Sequence, residues 1–346
     1  MKKTNISAIL CAVAVLVIAG CAKTVPVSTN EVNKRFLDAW IKVNHDGIET
    51  TELGVYVLEE KEGDGATVEK DGFAIVDYVV TDLDGNITSY SGKETAKQLG
   101  QYDTAYYYGS QVWSTTAGTI QAGLADALIG MKVGGSKKAL IPSWLLTYKV
   151  YDKIEHYFNP PKDETASTAS DNSIYEFTVK GYASNMNDWQ LGQIGDYFKE
   201  NPELGLSVAD SLQYGFYYKQ LVAPTDTTSF KSDTTIYINY TGRLLNGLVF
   251  DTTVERTAKD NGIYSASKEY APVPVKWAKE SSNIKLDGST VISGFALTMW
   301  QMRAFEKGVG IFYSDLGYSY SGSGKSIPGY APLIFEIELV AEPEEE

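Results

Sequence analysis

The sequence contains few of the residues that enzymes use for nucleophilic or metal-assisted chemistry. Only two histidines, His45 and His156, and two cysteines, Cys11 and Cys21, occur in 346 residues. Two histidines are too few for the imidazole clusters that hold many catalytic metals, and they argue against a Ser/His/Asp triad. We therefore expect a function that requires neither a metal ion nor a cofactor.

Positive charge is also scarce. The chain has 30 lysine and arginine residues against 44 aspartate and glutamate residues, which gives a formal net charge of −14. A surface of this sign repels phosphates, so nucleic acid is not an expected partner. An acidic, solvated surface that keeps the protein soluble accounts for the charge.

The apolar segment at the N-terminus is typical of an export signal. Residues 6–20, ISAILCAVAVLVIAG, follow two lysines and are too few to span a bilayer comfortably. The segment is followed by a cysteine, and the resulting VIAGC resembles the lipobox of bacterial lipoproteins. This resemblance implies that residues 1–20 are removed and that the thiol of Cys21 is diacylated. A plain signal peptide and an anchor helix are the alternatives.

A lipoprotein signal has consequences for chemistry and location. Cys11 is removed and Cys21 carries lipid, so no thiol remains for a disulfide, for catalysis or for a metal. Several acyl chains together anchor a protein stably in a membrane. Ala22 replaces the aspartate that is associated with retention in the inner membrane of enteric bacteria. We therefore expect a protein of the cell envelope, anchored in the outer membrane and facing the periplasm.

Residues 21–50 contain a polar tether and then a predicted helix. The stretch EVNKRFLDAWIKVNHDG places five apolar residues at helical spacing, namely Val32, Phe36, Ala39, Trp40 and Val43. We expect Asn30 to cap this helix and Gly47 to end it.

The rest of the chain contains one pattern twice, at a spacing of roughly 160 residues. Four segments of the first copy have counterparts in the second. LGVYVLEEKEGDG corresponds to YGFYYKQLVAPTD, and DYVVTDLDGNI corresponds to NYTGRLLNGLV. AGLADALIGMKVGG corresponds to SGFALTMWQMRAFEKG, and IYEFTVKGYA corresponds to IFEIELVAEP. So long a period indicates two domains rather than a solenoid. We place the domains at residues 51–184 and 214–341, followed by an acidic tail at 342–346.

A linker helix is predicted between the two copies, within residues 185–213. Trp189, Ile194 and Phe198 give it one apolar face. This face packs on one of the two domains or forms the seam of a homodimer, and packing within the chain is the commoner arrangement.

Each copy combines several strands with one short helix. Apolar and polar residues alternate in TIYINYTG and LIFEIELV, as in half-buried strands. LDG and LNG are typical hairpin turns, in which Gly85 and Gly247 adopt the positive φ that the turn requires. The predicted fold class is α+β, with a twisted antiparallel sheet wrapped around one short helix in each domain.

Four motifs of the second copy resemble the FKBP-type peptidyl-prolyl cis-trans isomerase family in their order and spacing. They are YTGRLLNGLVFD, VISGF, DLGY and IPGYAPLIFEIEL. The resemblance is strong over residues 215–340 and weaker over residues 54–183. It implies two FKBP-like domains and an enzyme that accelerates rotation about X-Pro bonds. The two-domain lipoprotein arrangement also resembles periplasmic isomerase-chaperones of this family.

The resemblance implies a small apolar pocket that accepts a proline ring. Its substrate-binding positions correspond here to Tyr240, Phe250, Val291, Phe295, Ile327 and Phe335. Its catalytic positions correspond to Asp251, Ile292 and Tyr318. Val275 is the candidate replacement for one further pocket aromatic, in a segment that is longer than the family usually has.

Prolyl rotation requires no nucleophile, because only the partial double bond of the amide has to be twisted, against a barrier of about 20 kcal/mol. Twisting reduces the charge separation of the amide, so an apolar, water-poor pocket favours the twisted state. The resemblance implies that the N–H of Ile292 and the hydroxyl of Tyr318 hold substrate carbonyls and that Asp251 orients its neighbours.

The first copy departs from the family pattern. Thr88 and Ser89 replace the aromatic-acid pair, and Gln121 brings an amide into a position where apolar surface is expected. Either Thr147 or Tyr148 occupies the tyrosine position. Burial of Gln121 without a partner would cost about 1–3 kcal/mol. We predict that this copy is not an efficient isomerase and that it binds clients, dimerises or spaces the second domain from the membrane.

The segment YDTAYYYGSQVW, which begins at Tyr102, is rich in tyrosine. One interpretation is an adhesive surface, since tyrosine combines contact area with a polar tip. The other interpretation is an edge strand packed on its own domain.

Two functions remain in competition. The first is a prolyl isomerase with folding-chaperone character that acts on proline-containing, unfolded or partly folded envelope proteins. The alternative is a non-catalytic, lipid-anchored module that binds proteins or glycans on the same scaffold. A proline peptide separates them, because a glycan-binding adhesin has no preference for proline.

Overall fold

The computed structural model describes residues 29–161 and 171–344. The signal segment, the predicted lipidation site Cys21 and the last two residues of the acidic tail lie outside these ranges. Among the described helices, none combines the length and the apolar character needed to cross a bilayer.

The first half of the chain forms an antiparallel sheet. Its strands, β1 to β6, are Tyr56–Lys61, Phe73–Thr81, Ile87–Tyr90, Gln111–Ser114, Ser136–Ile141 and Ser173–Ala183. The strand order is β1-β5-β6-β2-β3, and β4 also pairs with β2. Neighbouring strands are therefore mostly not consecutive in the chain, and β6 lies at the centre.

The second half repeats this topology with additional strands at one edge. Its strands, β7 to β14, are Phe216–Val222, Thr235–Leu244, Val249–Thr252, Val273–Lys276, Lys285–Leu286, Ser289–Thr290, Lys307–Phe312 and Leu333–Val340. The order is β12-β11-β10-β8-β14-β13-β7, and β9 also pairs with β8. The edge strands β1 and β7 correspond, as do the central strands β6 and β14, so the predicted internal repeat is confirmed.

Seven α-helices lie among the described residues. They are α1 to α7, at Thr29–Asn44, Lys93–Gln98, Ala122–Leu128, Ile154–Phe158, Met186–Glu200, Glu255–Asp260 and Ser293–Gln301. Helix α3 packs into the first core through Leu124, Ala127 and Leu128. Helix α7 has the same role in the second core, through Phe295 and Met299. Each domain is thus an antiparallel sheet around a short helix, which confirms the α+β prediction.

The two hairpin turns have the expected backbone. Gly85 and Gly247 both have a φ of +88°. A Cβ atom at either position would contact nothing within 4 Å, so the glycines are required by the backbone conformation and not by lack of space.

The face that α1 buries differs from the predicted one. Leu37 is fully buried against Leu140 and Ile174 of the first sheet, and Trp40 donates its indole N–H to the carbonyl of Leu83 at 3.0 Å. The stripe of Val32, Phe36, Ala39 and Val43 faces solvent instead. Apolar residues occur on more than one side of this helix, so the sequence does not identify the buried face. Asn30 lies inside the helix rather than at its cap, and the helix ends before Gly47.

The linker helix α5 packs within the chain, on the outer face of the second sheet. Ile194 and Phe198 are buried among Tyr217, Val309 and Ile311. Alternate residues of a strand point to opposite faces, so the helix α7 and the linker helix cover the two sides of the same strands. The side chain of Asn185 caps the linker helix by accepting from the N–H groups of residues 187 and 188.

Truncation of Ile194 tests how much the linker helix stabilises the second domain. We expect Ile194→Ala to lower the free energy of unfolding by about 2–5 kcal/mol, since it removes fully buried methyl and methylene groups. Gly192→Ala in the same helix is the control. Its new methyl group meets no atom within 4 Å, so it should raise stability by about 0.5–1 kcal/mol through helix propensity. Denaturant unfolding measures both, and a neutral Ile194→Ala would contradict this packing.

Candidate active site

The structure brings the predicted site residues together at one side of α7. Tyr240 lies on β8, Phe250 and Asp251 on β9, and Phe335 on β14. The remaining residues flank or begin α7 or lie in the segment before β14, namely Val291, Ile292, Phe295, Tyr318 and Ile327. All of them except Asp251 belong to one apolar cluster or pack against it.

Three aromatic rings of the site surround the ring of Phe335. The centroid of its ring lies 5.1 Å from that of Phe295, 5.6 Å from that of Phe250 and 6.2 Å from that of Tyr240. Phe295 and Phe335 are 3% and 5% exposed, so they form the floor, whereas Phe250 is half-buried and forms a wall. Edge-to-face contacts of this kind add about 0.5–1.5 kcal/mol per pair to the burial of the rings.

A glycine makes room for this wall. A Cβ atom on Gly242 would lie 2.5 Å from the ring of Phe250 and 2.8 Å from that of Phe335. Any larger residue at this position of β8 would displace one of the two rings.

Asp251 lies at the rim, where its carboxylate has two partners. The hydroxyl of Tyr240 donates to Oδ2 at 2.6 Å, and the ammonium of Lys268 forms an ion pair with Oδ1. Burial, reinforced by the charge of Asp251, raises the pKa of Tyr240 far above its ordinary value. Burial and Asp251 likewise raise the pKa of Tyr318. Both phenols therefore remain hydrogen-bond donors at physiological pH.

Ile292 stands at the N-terminal end of α7. Its extended backbone has φ −62° and ψ +148°, and its carbonyl accepts from the N–H of Ala296 at 3.2 Å. N–H groups at a helix N-terminus have no acceptor within the helix, and the helix dipole attracts negative partial charge there. The site can therefore offer a backbone donor to a carbonyl oxygen beside the apolar floor.

The linker helix fixes the segment that carries Tyr318. Gln190 is fully buried, and its Oε1 accepts from the N–H of Ser314 at 2.7 Å. The N–H of Ser319 then closes a turn on the carbonyl of Ser314 at 2.8 Å. Sequence reasoning missed Gln190, although its spacing of four residues from Ile194 places it on the apolar face of the helix.

The insertion after β9, residues 254–272, folds back toward the rim. It contributes Lys268, whose partner is Asp251, and the rings of Tyr264 and Tyr270 stack at 5.4 Å. The sequence contains no signal for this return, because it depends on the conformation of the whole insertion.

Val275, the candidate replacement for a further pocket aromatic, is fully buried in the apolar cluster. The aromatic surface of this segment comes from Trp277, two residues later, which stacks on Trp300 at 5.2 Å. The loose alignment of the long insertion hid this tryptophan from the sequence analysis.

The corresponding position in the first domain lacks the wall and the acid. Ser89 pairs with Val80 across β2 and β3, and Asp251 pairs with Gly242 across β8 and β9. Ser89 therefore corresponds to Asp251, and Val80 corresponds to Gly242. Val80 thus has a side chain where the second domain requires a glycine, and the hydroxyl of Ser89 lies 3.4 Å from that of Tyr78.

Gln121 avoids the cost of burial without a partner. Its side chain is partly exposed and donates to the hydroxyl of Tyr148 at 3.4 Å. Thr147 is buried and its carbonyl accepts from Ala122, so Tyr148 supplies the exposed hydroxyl at this end of the first domain.

The second domain is similar in sequence to known proteins. The family model described as FKBP-type peptidyl-prolyl cis-trans isomerase matches residues 226–340. FK506-binding protein 2 of Dictyostelium discoideum is 32% identical over 137 residues, which are 39% of this chain and 84% of the relative. FK506-binding protein 1A of Aspergillus fumigatus is 31% identical over 123 residues, 35% of this chain and 90% of the relative.

The chain belongs to the FKBP-type peptidyl-prolyl cis-trans isomerase family. A probable FKBP-type isomerase of Haemophilus influenzae is 30% identical over 151 residues, 44% of this chain and 52% of the relative. The nine predicted site residues all fall within the match to the family model, and the first sheet lies outside it. The enzyme class is therefore that of a peptidyl-prolyl cis-trans isomerase of the FKBP type.

Removal of the Tyr240 hydroxyl tests its bond to Asp251. We expect Tyr240→Phe to lower the free energy of unfolding at pH 7 by about 1–3 kcal/mol, as for a hydrogen bond to a charged group. The raised pKa of Tyr240 stabilises the folded state fully below the unfolded value of about 10, and this stabilisation is lost as the pH rises further. The deficit of the variant should therefore shrink above about pH 10.

Urea unfolding from pH 7 to pH 11 measures this difference. Tyr320→Phe, which removes a hydroxyl from a ring that is 71% exposed, is the control. A deficit of Tyr240→Phe that is absent at pH 7, or that grows at alkaline pH, would contradict the assignment.

Proposed function

We propose that catalysis resides in the second domain, in the apolar pocket formed by Tyr240, Phe250, Phe295 and Phe335. The observation that carries this proposal is the pairing of a buried aromatic floor with a polar rim. The other three rings lie within 6.2 Å of the Phe335 ring, and the Tyr240–Asp251 hydrogen bond forms part of the rim.

The pocket accelerates rotation by favouring the twisted amide over the planar one. A proline ring enters against Phe295, and the apolar walls exclude water from the C–N bond. The twisted amide has less charge separation than the planar amide, so the loss of water costs it less. Val291 and Ile327 complete the apolar wall, since both contribute to the same cluster.

Polar groups at the rim hold the substrate while the bond rotates. The N–H of Ile292, at the start of α7, donates to the carbonyl before the proline. The hydroxyl of Tyr318 donates to another carbonyl, and its raised pKa keeps the donated proton in place. Asp251 fixes the hydroxyl of Tyr240 and orients the rim without any transfer of a proton.

The first domain is not an efficient isomerase in this proposal. Ser89 occupies the register position of Asp251, and Val80 replaces the glycine that accommodates a phenylalanine wall. These differences support a role in binding.

Exchange of a short X-Pro peptide tests the location of catalysis. We expect Phe250→Ala to lower kcat/KM by about 10- to 100-fold, because the ring becomes fully buried against the bound proline and such burial contributes about 1.5–3 kcal/mol. Asp251→Ala should lower it less, since the apolar floor remains. The protein that begins after Cys21 is the parent, and Phe36→Ala, at a ring 55% exposed on α1, is the control.

The two outcomes have different meanings. Loss of acceleration in Phe250→Ala, with circular dichroism unchanged, places catalysis in the second domain. An inactive parent would contradict the proposal and would favour the alternative of a binding module on the FKBP scaffold.

We also propose that the enzyme is anchored by lipid on Cys21 in the outer membrane, facing the periplasm. Its clients would be proline-containing, unfolded or partly folded envelope proteins, on which it acts with folding-chaperone character. The support is the VIAGC motif directly after an apolar export segment.

Metabolic labelling tests the anchor. In a bacterial host given an alkynyl fatty acid, the full chain should carry label in the membrane fraction, and Cys21→Ala should carry none. Retention of the label in Cys21→Ala would exclude this site of lipidation.

A further inference from the structure

Two neighbouring cavities lie between the domains and form one cleft, here called the tyrosine cleft. The first cavity has a volume of about 820 Å³, and its lining includes Tyr90, Tyr102 and Tyr106. The second has a volume of about 730 Å³, and its lining includes Trp113 and Tyr148. Tyr78 and Ser89 line both cavities. The cavities therefore meet at the position where the first domain lacks the wall and the acid.

The tyrosine cleft adjoins the proposed catalytic pocket. Ile327 and Pro328 line its first cavity, and Ile327 is also buried in the apolar cluster of that pocket. Tyr107 of the first domain packs against the same apolar cluster. A polypeptide bound in the pocket would therefore lie beside the cleft.

Contacts between the domains hold the tyrosine cleft in place. The N–H of Tyr107 donates to the carbonyl of Lys325 at 2.8 Å, and the ammonium of Lys325 lies 4.7 Å from the centre of the Tyr106 ring. The hydroxyl of Thr104 donates to the carbonyl of Gly262, in the insertion, at 3.1 Å. One loop of the first domain thus contacts both segments that border the pocket.

These contacts correct one interpretation of the tyrosine-rich segment. It is not an edge strand over its whole length, since β4 begins only at Gln111. Tyr102 stacks on Tyr108 at 5.5 Å, and Tyr107 is directed into the second domain.

The lining suits an extended polypeptide. Tyrosine rings offer flat apolar area, and their hydroxyls both donate to and accept from backbone amides. Volumes of this size fall within the range of ligand-binding clefts.

We propose that the tyrosine cleft binds the extended chain that flanks the target proline, so that the first domain selects unfolded polypeptide for the pocket of the second. This inference rests on the proposed location of catalysis. Specifically, the region around Ser89, where the first domain lacks the wall and the acid, would be a substrate-binding subsite.

Peptides of two lengths distinguish binding in the cleft from binding in the pocket. The two substrates share one central Ala-Pro bond, with about four residues in the short peptide and about twelve, including tyrosine and leucine, in the long one. For the parent, the ratio of kcat/KM on the long peptide to that on the short peptide should be well above one. In the double variant Tyr102→Ala/Tyr148→Ala it should fall about tenfold, since each exposed ring contributes one contact.

Tyr214→Ala is the matched control. Its ring is 54% exposed, comparable to the 38% of Tyr102 and the 56% of Tyr148, and it lines a different cavity, beside α5. The control should keep the ratio of the parent. A parent ratio near one, or an equal ratio in the double variant, would overturn the proposed subsite.

Binding of the long peptide gives a readout that does not depend on turnover. Fluorescence anisotropy should show a dissociation constant about tenfold higher in the double variant than in the parent. If the parent turns over neither peptide, the proposed catalysis fails, yet this difference in affinity would still support the cleft. Equal affinities would reject the cleft whatever the rate.

Discussion

The packing of Phe335 on Phe295 is the interaction on which the rest of the site depends. Phe335 comes from the central strand β14 and Phe295 from the first turn of α7, and their rings meet at 5.1 Å. This contact joins the helix to the middle of the sheet, and in the proposed site it is also the floor of the pocket. If the proposal holds, stability and function rest on the same two side chains, with Phe250 and Tyr240 as the wall and the rim.

The two domains build different surfaces on one scaffold. Both retain the strand order, the inner helix and an outer helix. In both, a side-chain amide oxygen accepts from the N–H of a serine, which follows β5 in the first domain and β13 in the second. In the first domain Asn172 supplies this oxygen, and in the second Gln190 does. The difference between the domains lies at Val80 and Gly242, because only glycine leaves room for a phenylalanine wall. The tyrosine cleft lies at this part of the first domain, since Tyr78 and Ser89 line both of its cavities.

Local pattern was sufficient to predict the fold, because alternation, turn glycines and motif spacing are properties of short segments. The nine site residues were carried over from the family resemblance, and eight of them meet in or against one apolar cluster. Features that depend on how segments meet were not predictable. The buried face of α1 is set by Leu37, although the stripe through Phe36 is equally apolar in sequence. Lys268 reaches Asp251 only because the insertion folds back, and Tyr107 contacts the second domain only because the two sheets lie side by side.

The most direct test of the central claim is to replace Phe250 and Asp251 of the second domain with the threonine and serine that the first domain has at these positions. Prolyl exchange on a short X-Pro peptide would be measured by NMR for the parent and for Phe250→Thr/Asp251→Ser, with thermal unfolding of both as the check on folding. The account predicts that the double variant remains folded and that exchange falls to the uncatalysed rate. A folded double variant that retains the rate of the parent would contradict catalysis in this pocket.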